Sequence, residues 1–437
     1  MLVCAALVGM TAHAAEASRQ QVRSQVAQEQ PYLFALYKHF HANPELSFHE
    51  VRTAARLAEE LRQAGCEVTT GVGQGGVVGV LRSGAGPTVL LRADMDALPV
   101  KEQTGLPYAS TATAKDAEGK EVPVMHACGH DLHMTWLVGA ARVLAKTKDQ
   151  WHGTIVFIGQ PAEEASGGAE SMLRDGLFER FPRPDYCLAL HDDAELPAGT
   201  VGYISGYMSA NVNAVDITVR GVGGHGARPH TTKDPVVLAA EIILALQTIV
   251  SREVKPGDPV VVTVGSIHGG TRRNVIPDEV RLQLTVRSYS EQARRQTLEA
   301  IQRIARGQGL AAGLPEDRLP VVNASVEFTP ALYNDPQLTE RLAAALGGWL
   351  GTTNLVPKQP SMGGEDFSEY GRTDPKVPIC MLDPGGVEVE VARQSQQTGK
   401  PLPSLHSPFW APAPAAIPTG VTTFVACVLE LLGKPAR

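Results

Sequence analysis

The sequence predicts an α/β fold with a central, mostly parallel sheet, interrupted by a smaller α+β domain, and three observations carry that expectation. Short continuous apolar runs recur, each ending in polar residues. Helix-like stretches separate them, and after residue 210 the pattern switches to long alternating strands. At 437 residues the chain is long for a single core, so two domains are expected, and 43% hydrophobic residues supply the material to bury.

The elements follow in order. Met1 to Met10 is apolar and precedes Ala12-His13-Ala14, a small-x-small pattern that predicts a removable leader over 1–14 and a periplasmic or secreted protein. No Lys or Arg precedes that run, and a leader that does not function leaves the protein cytoplasmic. Thr88-Val89-Leu90-Leu91, Thr154-Ile155-Val156-Phe157-Ile158 and Tyr186-Cys187-Leu188-Ala189-Leu190 read as strands buried on both faces. Helices are expected between them at 132–146 and 168–177. The insert reads as strand 212–220, helix 235–250, strands 260–267 and 280–287, helix 292–306 and strand 321–328. This βαββαβ order is the ferredoxin-like arrangement. Helix 337–350, strand 377–382 and helix 419–432 then resume the first pattern, with loops at 356–365 and 383–406, where Gly, Pro and Ser collect. One domain is therefore expected over 15–210 and 329–437, and the insert over 211–328.

The formal charge of -7 is modest, and no basic, aromatic stripe points to nucleic acid. No internal run reads as a membrane span, so no membrane contact is expected once the leader is removed. Cys66, Cys128, Cys187, Cys380 and Cys427, which remain after leader removal, are widely spaced and odd in number, which is no disulfide framework. Cys128 stands apart because it lies in His126-Ala127-Cys128-Gly129-His130-Asp131, where imidazole, thiol and carboxylate surround a glycine. Such groups suit zinc and similar ions. Any one of them alone reads more often as a packed or surface side chain. Ligands of parallel sheets gather beyond the carboxyl ends of the strands, so Asp94, Cys128, His130, Glu163, Glu164 and His191 are all expected to face one crevice. Glu163-Glu164 has the alternative of a solvated acidic pair.

One ordered set of motifs extends the reading: His41-Ala42-Asn43-Pro44-Glu45, Arg92-Ala93-Asp94-Met95-Asp96-Ala97-Leu98-Pro99, the thiol–imidazole run, Pro161-Ala162-Glu163-Glu164, Gly224-His225-Gly226-Ala227-Arg228-Pro229-His230, Asn274-Val275-Ile276-Pro277-Asp278, Gly364-Glu365-Asp366-Phe367 and Leu405-His406. In this order the set resembles the di-metal amidohydrolases, the family of hippurate hydrolase, N-acyl-amino-acid aminoacylases and auxin-conjugate hydrolases, related to carboxypeptidase G and succinyl-diaminopimelate desuccinylase. The resemblance implies a metallopeptidase-type catalytic domain and makes the insert a lid and dimerisation domain. It implies that Cys128, His130, Glu164, His191 and His406 hold two divalent metal ions, zinc or else manganese, cobalt or nickel, with Glu163 as general base. Asp94 is implied to orient a ligand from behind. Arg92 stands where the peptidase branch has a metal-binding histidine, which turns the expectation from peptides towards N-acyl amino acids.

By the same resemblance, the lid of one subunit offers His225 to the site of another, in a homodimer or higher homo-oligomer; the plain alternative is a turn residue. Asn274 and Arg287 are implied to bind the substrate carboxylate, and Arg287 reads equally as a solvated strand-end charge. The expected reaction is hydrolysis of a small N-acyl-L-amino acid to a carboxylic acid and a free amino acid. Benzoyl, acetyl, indoleacetyl and bulkier aromatic acyl groups are all compatible, as is an ochratoxin-like phenylalanine amide. The alternatives are a metallo-dipeptidase or carboxypeptidase and a non-catalytic, metal-containing binding protein.

Overall fold

The structure, a computed structural model, describes residues 2–325 and 328–433, with side chains of the first helix from Glu16 onward. The chain divides into two compact units. One comprises Met1–Gly206, Tyr333–Gln359 and Asp366–Arg437; the other comprises Tyr207–Leu332 and Pro360–Glu365.

The first unit is organised on a nine-stranded sheet in the order Glu67–Val72, Gly76–Ser83, Gly153–Gln160, Thr88–Asp94, Tyr186–Leu190, Ile379–Val387, Val201–Tyr203 and Leu355–Pro357, with Asp193–Pro197 paired beside Ile379–Val387. Thr88–Asp94 pairs in parallel with both Gly153–Gln160 and Tyr186–Leu190, and Ile379–Val387 is parallel to Tyr186–Leu190. These strands are Val-, Ile- and Leu-rich and almost wholly buried, as strands covered on both faces must be. The sheet is mixed at its margins, where the hairpin Glu67–Val72/Gly76–Ser83 adds antiparallel strands. The helices Leu2–Ala42, Val51–Gln63, His130–Lys146, Pro336–Leu350 and Ile417–Leu432 contribute to the same hydrophobic core as the central strands.

Two segments differ from the sequence expectation. The strand expected to stop at 382 continues to Val387, and the expected loop beyond it contains a helix, Val389–Thr398. The Pro-Gly-Gly composition that suggests a loop serves close approach instead: a Cβ on Gly385 would lie 2.2 Å from the Pro197 carbonyl oxygen of the neighbouring strand. Two helices, Pro235–Glu253 and Pro414–Leu432, are long and apolar enough to cross a membrane by length and composition, contrary to the expectation of no such run. The second is a core helix, 78% buried.

The second unit has the sheet order Val260–Gly269, Glu279–Ser288, Asn211–Arg220, Val321–Ala324, all antiparallel. With helices Pro235–Thr248 and Glu291–Ala311 this is the ferredoxin-like arrangement. Asn211–Arg220 alternates buried and partly exposed residues, and its inward set packs with Leu238, Ile242 and Leu246 and with Ile301. Val326 and Glu327, within the strand expected at 321–328, lie outside the described residues.

The helix that begins at His130 is held by glycines. A Cβ on Gly139 would sit 2.4 Å from Val421 Cγ2, and one on Gly420 would sit 2.3 Å from two ring carbons of Trp136. Alanine is worth about 1 kcal/mol more than glycine inside an isolated helix. Here the fully buried Trp136 cannot swing away, so overpacking wins. Gly420→Ala is expected to lower the unfolding free energy by about 1–3 kcal/mol; urea titration measures this, and an unchanged or raised midpoint contradicts the packing argument.

Candidate metal centre

Gly129 sets the local geometry. It takes φ of 75° ahead of the His130–Lys146 helix, and a Cβ there would lie 2.3 Å from Asp192 Oδ1. Glycine alone permits both the left-handed turn and the contact. The turn brings Cys128 and His130 to the carboxyl ends of the strands. His191 follows directly on Tyr186–Leu190, and Glu163 and Glu164 follow Gly153–Gln160 after a turn in which Ala162 has φ of 48°. His406, at φ 65°, is anchored by its amide to the Ala127 carbonyl at 2.8 Å.

These side chains converge in the first unit. Ligand-competent atoms of Cys128, His130 and His191 lie within 4.8 Å of one another, as do those of Cys128, Glu164 and His406 and those of His130, Glu163 and Glu164. The sets overlap, so they form one patch. Cys128 Sγ is 3.5 Å from His191 Nε2, and Glu164 Oε1 is 3.2 Å from His406 Nε2 and 4.0 Å from His130 Nε2.

The patch is chemically unsatisfied in a way that fits metal ions. Both ring nitrogens of buried His130 and the Oε1 atom of Glu164 are buried without an aligned hydrogen bond among the described residues, although His130 Nδ1 lies 3.3 Å from Asp96 Oδ1. Burial, and next the Glu164 charge, pushes the Cys128 thiol well above its ordinary value. Buried donors of this kind are costly without a partner, and a cation supplies it while stabilising the thiolate.

Behind the patch lies a shell of buried charge. Asp94 Oδ2 is 3.7 Å from His130 Nε2, and Asp94 Oδ1 is 2.7 Å from His133 Nδ1. His133 reaches Asp192 Oδ1 with its other nitrogen at 2.9 Å, and its ring stacks on His130 at 5.4 Å between centroids. Burial alone would lower the His133 pKa, but Asp94 and Asp192 raise it to about 9. Asp94, His130 and His133 also meet the distance criterion for a metal-holding group; His133, however, has a carboxylate at each nitrogen and backs the patch instead. Arg92 is fully buried, bonded to Asp94 Oδ2 at 2.5 Å and to Gln160 Oε1 at 3.1 Å, and is 3.3 Å from Asp366 Oδ1. Burial would raise the Asp94 pKa, yet Arg92 and the two imidazoles hold it well below the usual carboxylate range.

Not every group of the thiol–imidazole run takes part. Asp131 bonds His41 Nδ1 at 2.7 Å, and His41 Nε2 bonds Glu102 at 2.9 Å, which ties the first helix to the start of the His130 helix. Asp96, His133 and Glu50 were not singled out from sequence. Asp96 and His133 carry only a weak signal, the repeated carboxylate of Arg92-Ala93-Asp94-Met95-Asp96 and a histidine three residues beyond His130; Glu50 carries none.

His225, Asn274 and Arg287 belong to the second unit. His225 lies on the short strand Gly224–His225, paired with Val275–Ile276, and the Gly226 amide bonds the Asn274 carbonyl at 2.9 Å. The Ala227 N–H donates to His225 Nδ1 at 3.0 Å. Arg287 Nη1 donates to the Met362 carbonyl at 2.6 Å.

Comparison with known proteins accords with this geometry. The sequence pattern of peptidase family M20/M25/M40 matches residues 90–396. The chain is 36% identical over 356 residues to thermostable carboxypeptidase 1 of Saccharolobus solfataricus, covering 80% of this chain and 86% of that protein. It is 39% identical over 335 residues to the hippurate hydrolase of Campylobacter jejuni, covering 76% and 82%. Among solved structures, the dinuclear metal binding peptidase YXEP of Bacillus subtilis, of the M20 family, superposes with a TM-score of 0.75 at 28% identity, covering 93% of this chain and 99% of that one. A match that spans most of the chain, on a fold that gathers thiol, imidazole and carboxylate at its strand ends, makes this chain a member of peptidase family M20/M25/M40 and a metal-dependent hydrolase.

Proposed function

We propose that the protein hydrolyses the amide bond of N-acyl-L-amino acids, releasing a carboxylic acid and a free amino acid. The observation that carries this reading is Arg92. Its buried guanidinium offers no lone pair to a metal and is engaged by Asp94 and Gln160, so ligation passes to Cys128 and His130, the arrangement expected of the amidohydrolase branch. The likeness to hippurate hydrolase supports the same choice.

In this reading Cys128, His130, Glu164, His191 and His406 hold two divalent ions, zinc by the softness of the thiolate and imidazole donors. Bound there, the ions polarise the acyl oxygen and acidify water. Glu163 accepts the water proton on its carboxylate and delivers it to the departing amide nitrogen, a task worth about a hundredfold to ten-thousandfold in rate. His225 serves as an oxyanion donor from the lid of a second subunit. The Ala227 amide occupies its Nδ1, which leaves the proton of the neutral ring on Nε2, ready to donate. Asn274 and the remaining N–H groups of Arg287 take the substrate carboxylate. A homodimer through the lid is supported by a sheet edge unpaired among the described residues, strand Val260–Gly269, and by exposed apolar side chains in this unit, Ile267 on that strand and Leu244 on the helix Pro235–Thr248, the latter 71% exposed.

A carboxypeptidase reading is favoured by the similarity to thermostable carboxypeptidase 1. Turnover of hippurate and N-acetyl amino acids, assayed beside dipeptides with added zinc, manganese or cobalt, separates the two. Cleavage of dipeptides alone sinks the amidohydrolase reading, and binding without any hydrolysis favours a non-catalytic protein.

Glu163→Gln is expected to retain metal and fold while losing at least about a hundredfold in kcat, whereas Glu164→Gln is expected to lose metal. Elemental analysis beside kinetics checks both, and reversed effects overturn the assignment. Cys128 is expected to resist alkylation in the holo protein and to react after chelation; equal labelling in both states, read by mass spectrometry, contradicts its role. His225→Ala and Glu163→Ala homo-oligomers are each expected to be nearly inactive. After subunit exchange at equal amounts, half of the dimers are hybrids, each with one intact site, so activity is expected to return to about a quarter of wild type. No recovery after verified exchange removes the shared site.

A further inference from the structure

The turn that presents Glu163 and Glu164 is gripped by two buried carboxyl groups from other parts of the first unit. Glu50 Oε1 accepts the Ala162 amide at 2.7 Å, Asp96 Oδ1 accepts the Glu163 amide at 3.1 Å, and Asp96 Oδ2 accepts the Glu164 amide at 3.0 Å. Three successive N–H groups thus end on carboxyl oxygens. Ser47 Oγ donates to Asp96 Oδ2 at 2.6 Å, so one short segment, Ser47 to Glu50, touches both ends of the grip.

That segment gives up local stability to do so. Phe48, between the two contact residues, has φ of 61°, and Ala162 opposite has φ of 48°; both are non-glycine residues in the left-handed region, where side chains crowd the backbone. Glu50 is the N-cap residue of the helix Val51–Gln63 yet makes no side-chain cap bond. Glu45 does the capping in its place, accepting the Arg52 and Thr53 amides at 2.8 Å each. A residue placed to cap its own helix has been diverted to Ala162. Its second oxygen, Oε2, is buried without a hydrogen-bond partner among the described residues, and burial, then the Asp96 charge, raises its pKa to about 7. A neutral acid at Glu50 avoids a second buried negative charge beside Asp96.

We propose that Ser47, Glu50 and Asp96 form a clamp that orients Glu163 and Glu164, with Glu50 as a positioning residue for the hydrolytic reaction. This rests on the roles given to those glutamates under the proposed function. Adjacent residues with different tasks must be held at the backbone, because a rotation of the turn by one peptide exchanges where their carboxylates point. A displacement of about 1 Å in such a group costs about a hundredfold in rate.

The test compares Glu50→Gln with Glu50→Leu in the full-length, metal-loaded protein, with folding checked by circular dichroism and thermal melting. The glutamine keeps an acceptor oxygen for Ala162 N–H, and the leucine removes it. Glu50→Leu is expected to lower kcat by about ten- to a hundredfold with KM unchanged, and to alter the visible absorption of the cobalt-loaded protein. Glu50→Gln is expected to restore both towards wild type. A folded leucine variant with wild-type kcat and cobalt spectrum overturns the clamp, as does a folded glutamine variant as impaired as the leucine one. If the leucine variant does not fold, Asp96→Asn decides: its amide nitrogen cannot accept from Glu163 or Glu164, and an unchanged kcat and cobalt spectrum overturns the proposal. The spectrum is read without substrate, so it judges the clamp even if no N-acyl amino acid is cleaved. Wild-type protein that takes up no cobalt removes the metal reading and the clamp with it.

Discussion

Buried negative charge at the ends of a parallel sheet is the constraint on which the first unit depends. Asp94, Asp96, Asp131 and Asp192 are all almost fully buried, and Cys128 and Glu164 lie beside them. Isolated carboxylates do not survive in an interior of low dielectric; each must be paired or hydrogen-bonded. The structure answers residue by residue: Arg92 and His133 against Asp94, His41 against Asp131, backbone amides and Ser47 against Asp96, and His133 with Trp410 Nε1 against Asp192. The patch of Cys128, His130, Glu164, His191 and His406 is where this compensation is incomplete, and its donors fit a metal ion.

The same compensation explains why the elements around the patch are so rigidly joined. His41 is held between Asp131 and Glu102, which together raise its pKa to about 10 although burial alone would lower it. It thereby fastens the first helix to the helix that starts at His130. Arg92 spans from the Thr88–Asp94 strand to Asp366, and Gln160 on the adjacent strand bonds Asp366 Oδ1 at 2.6 Å. The candidate ligands on separate strands and loops are therefore set by shared charges, which fix direction as well as distance. Close-packed glycines do the complementary work on the apolar side, where Gly139 and Gly420 let the His130–Lys146 and Ile417–Leu432 helices touch.

Much of the fold was legible because burial on both faces leaves a plain signature. Tyr186–Leu190 and Gly153–Gln160 are continuous apolar runs, and Asn211–Arg220 alternates. The strand at Ile379–Val387 was legible only to Leu382, because Pro384, Gly385 and Gly386 carry the composition of a loop and are retained by a neighbouring backbone that composition does not reveal. Among site residues, Cys128, His130, Glu164 and His191 announce themselves by chemistry and by position after a strand. His133 and Asp96 do not, since a histidine inside an apolar helix and an aspartate in a turn have many ordinary uses.

By itself the sequence determined the alternation of strands and helices, the ferredoxin-like insert and the set of donors fit for a metal, because these follow from local periodicity and from the elements present in the side chains. Tertiary structure alone decided which donors meet. Asp131, one residue beyond His130, turns to His41, while His406, far along the chain, reaches Glu164 at 3.2 Å. It also decided that Glu50 leaves its own helix to hold the Ala162 amide. Such choices depend on distances between segments remote in sequence and on the cost of leaving each buried charge uncompensated, and neither quantity is written in any local stretch of the chain.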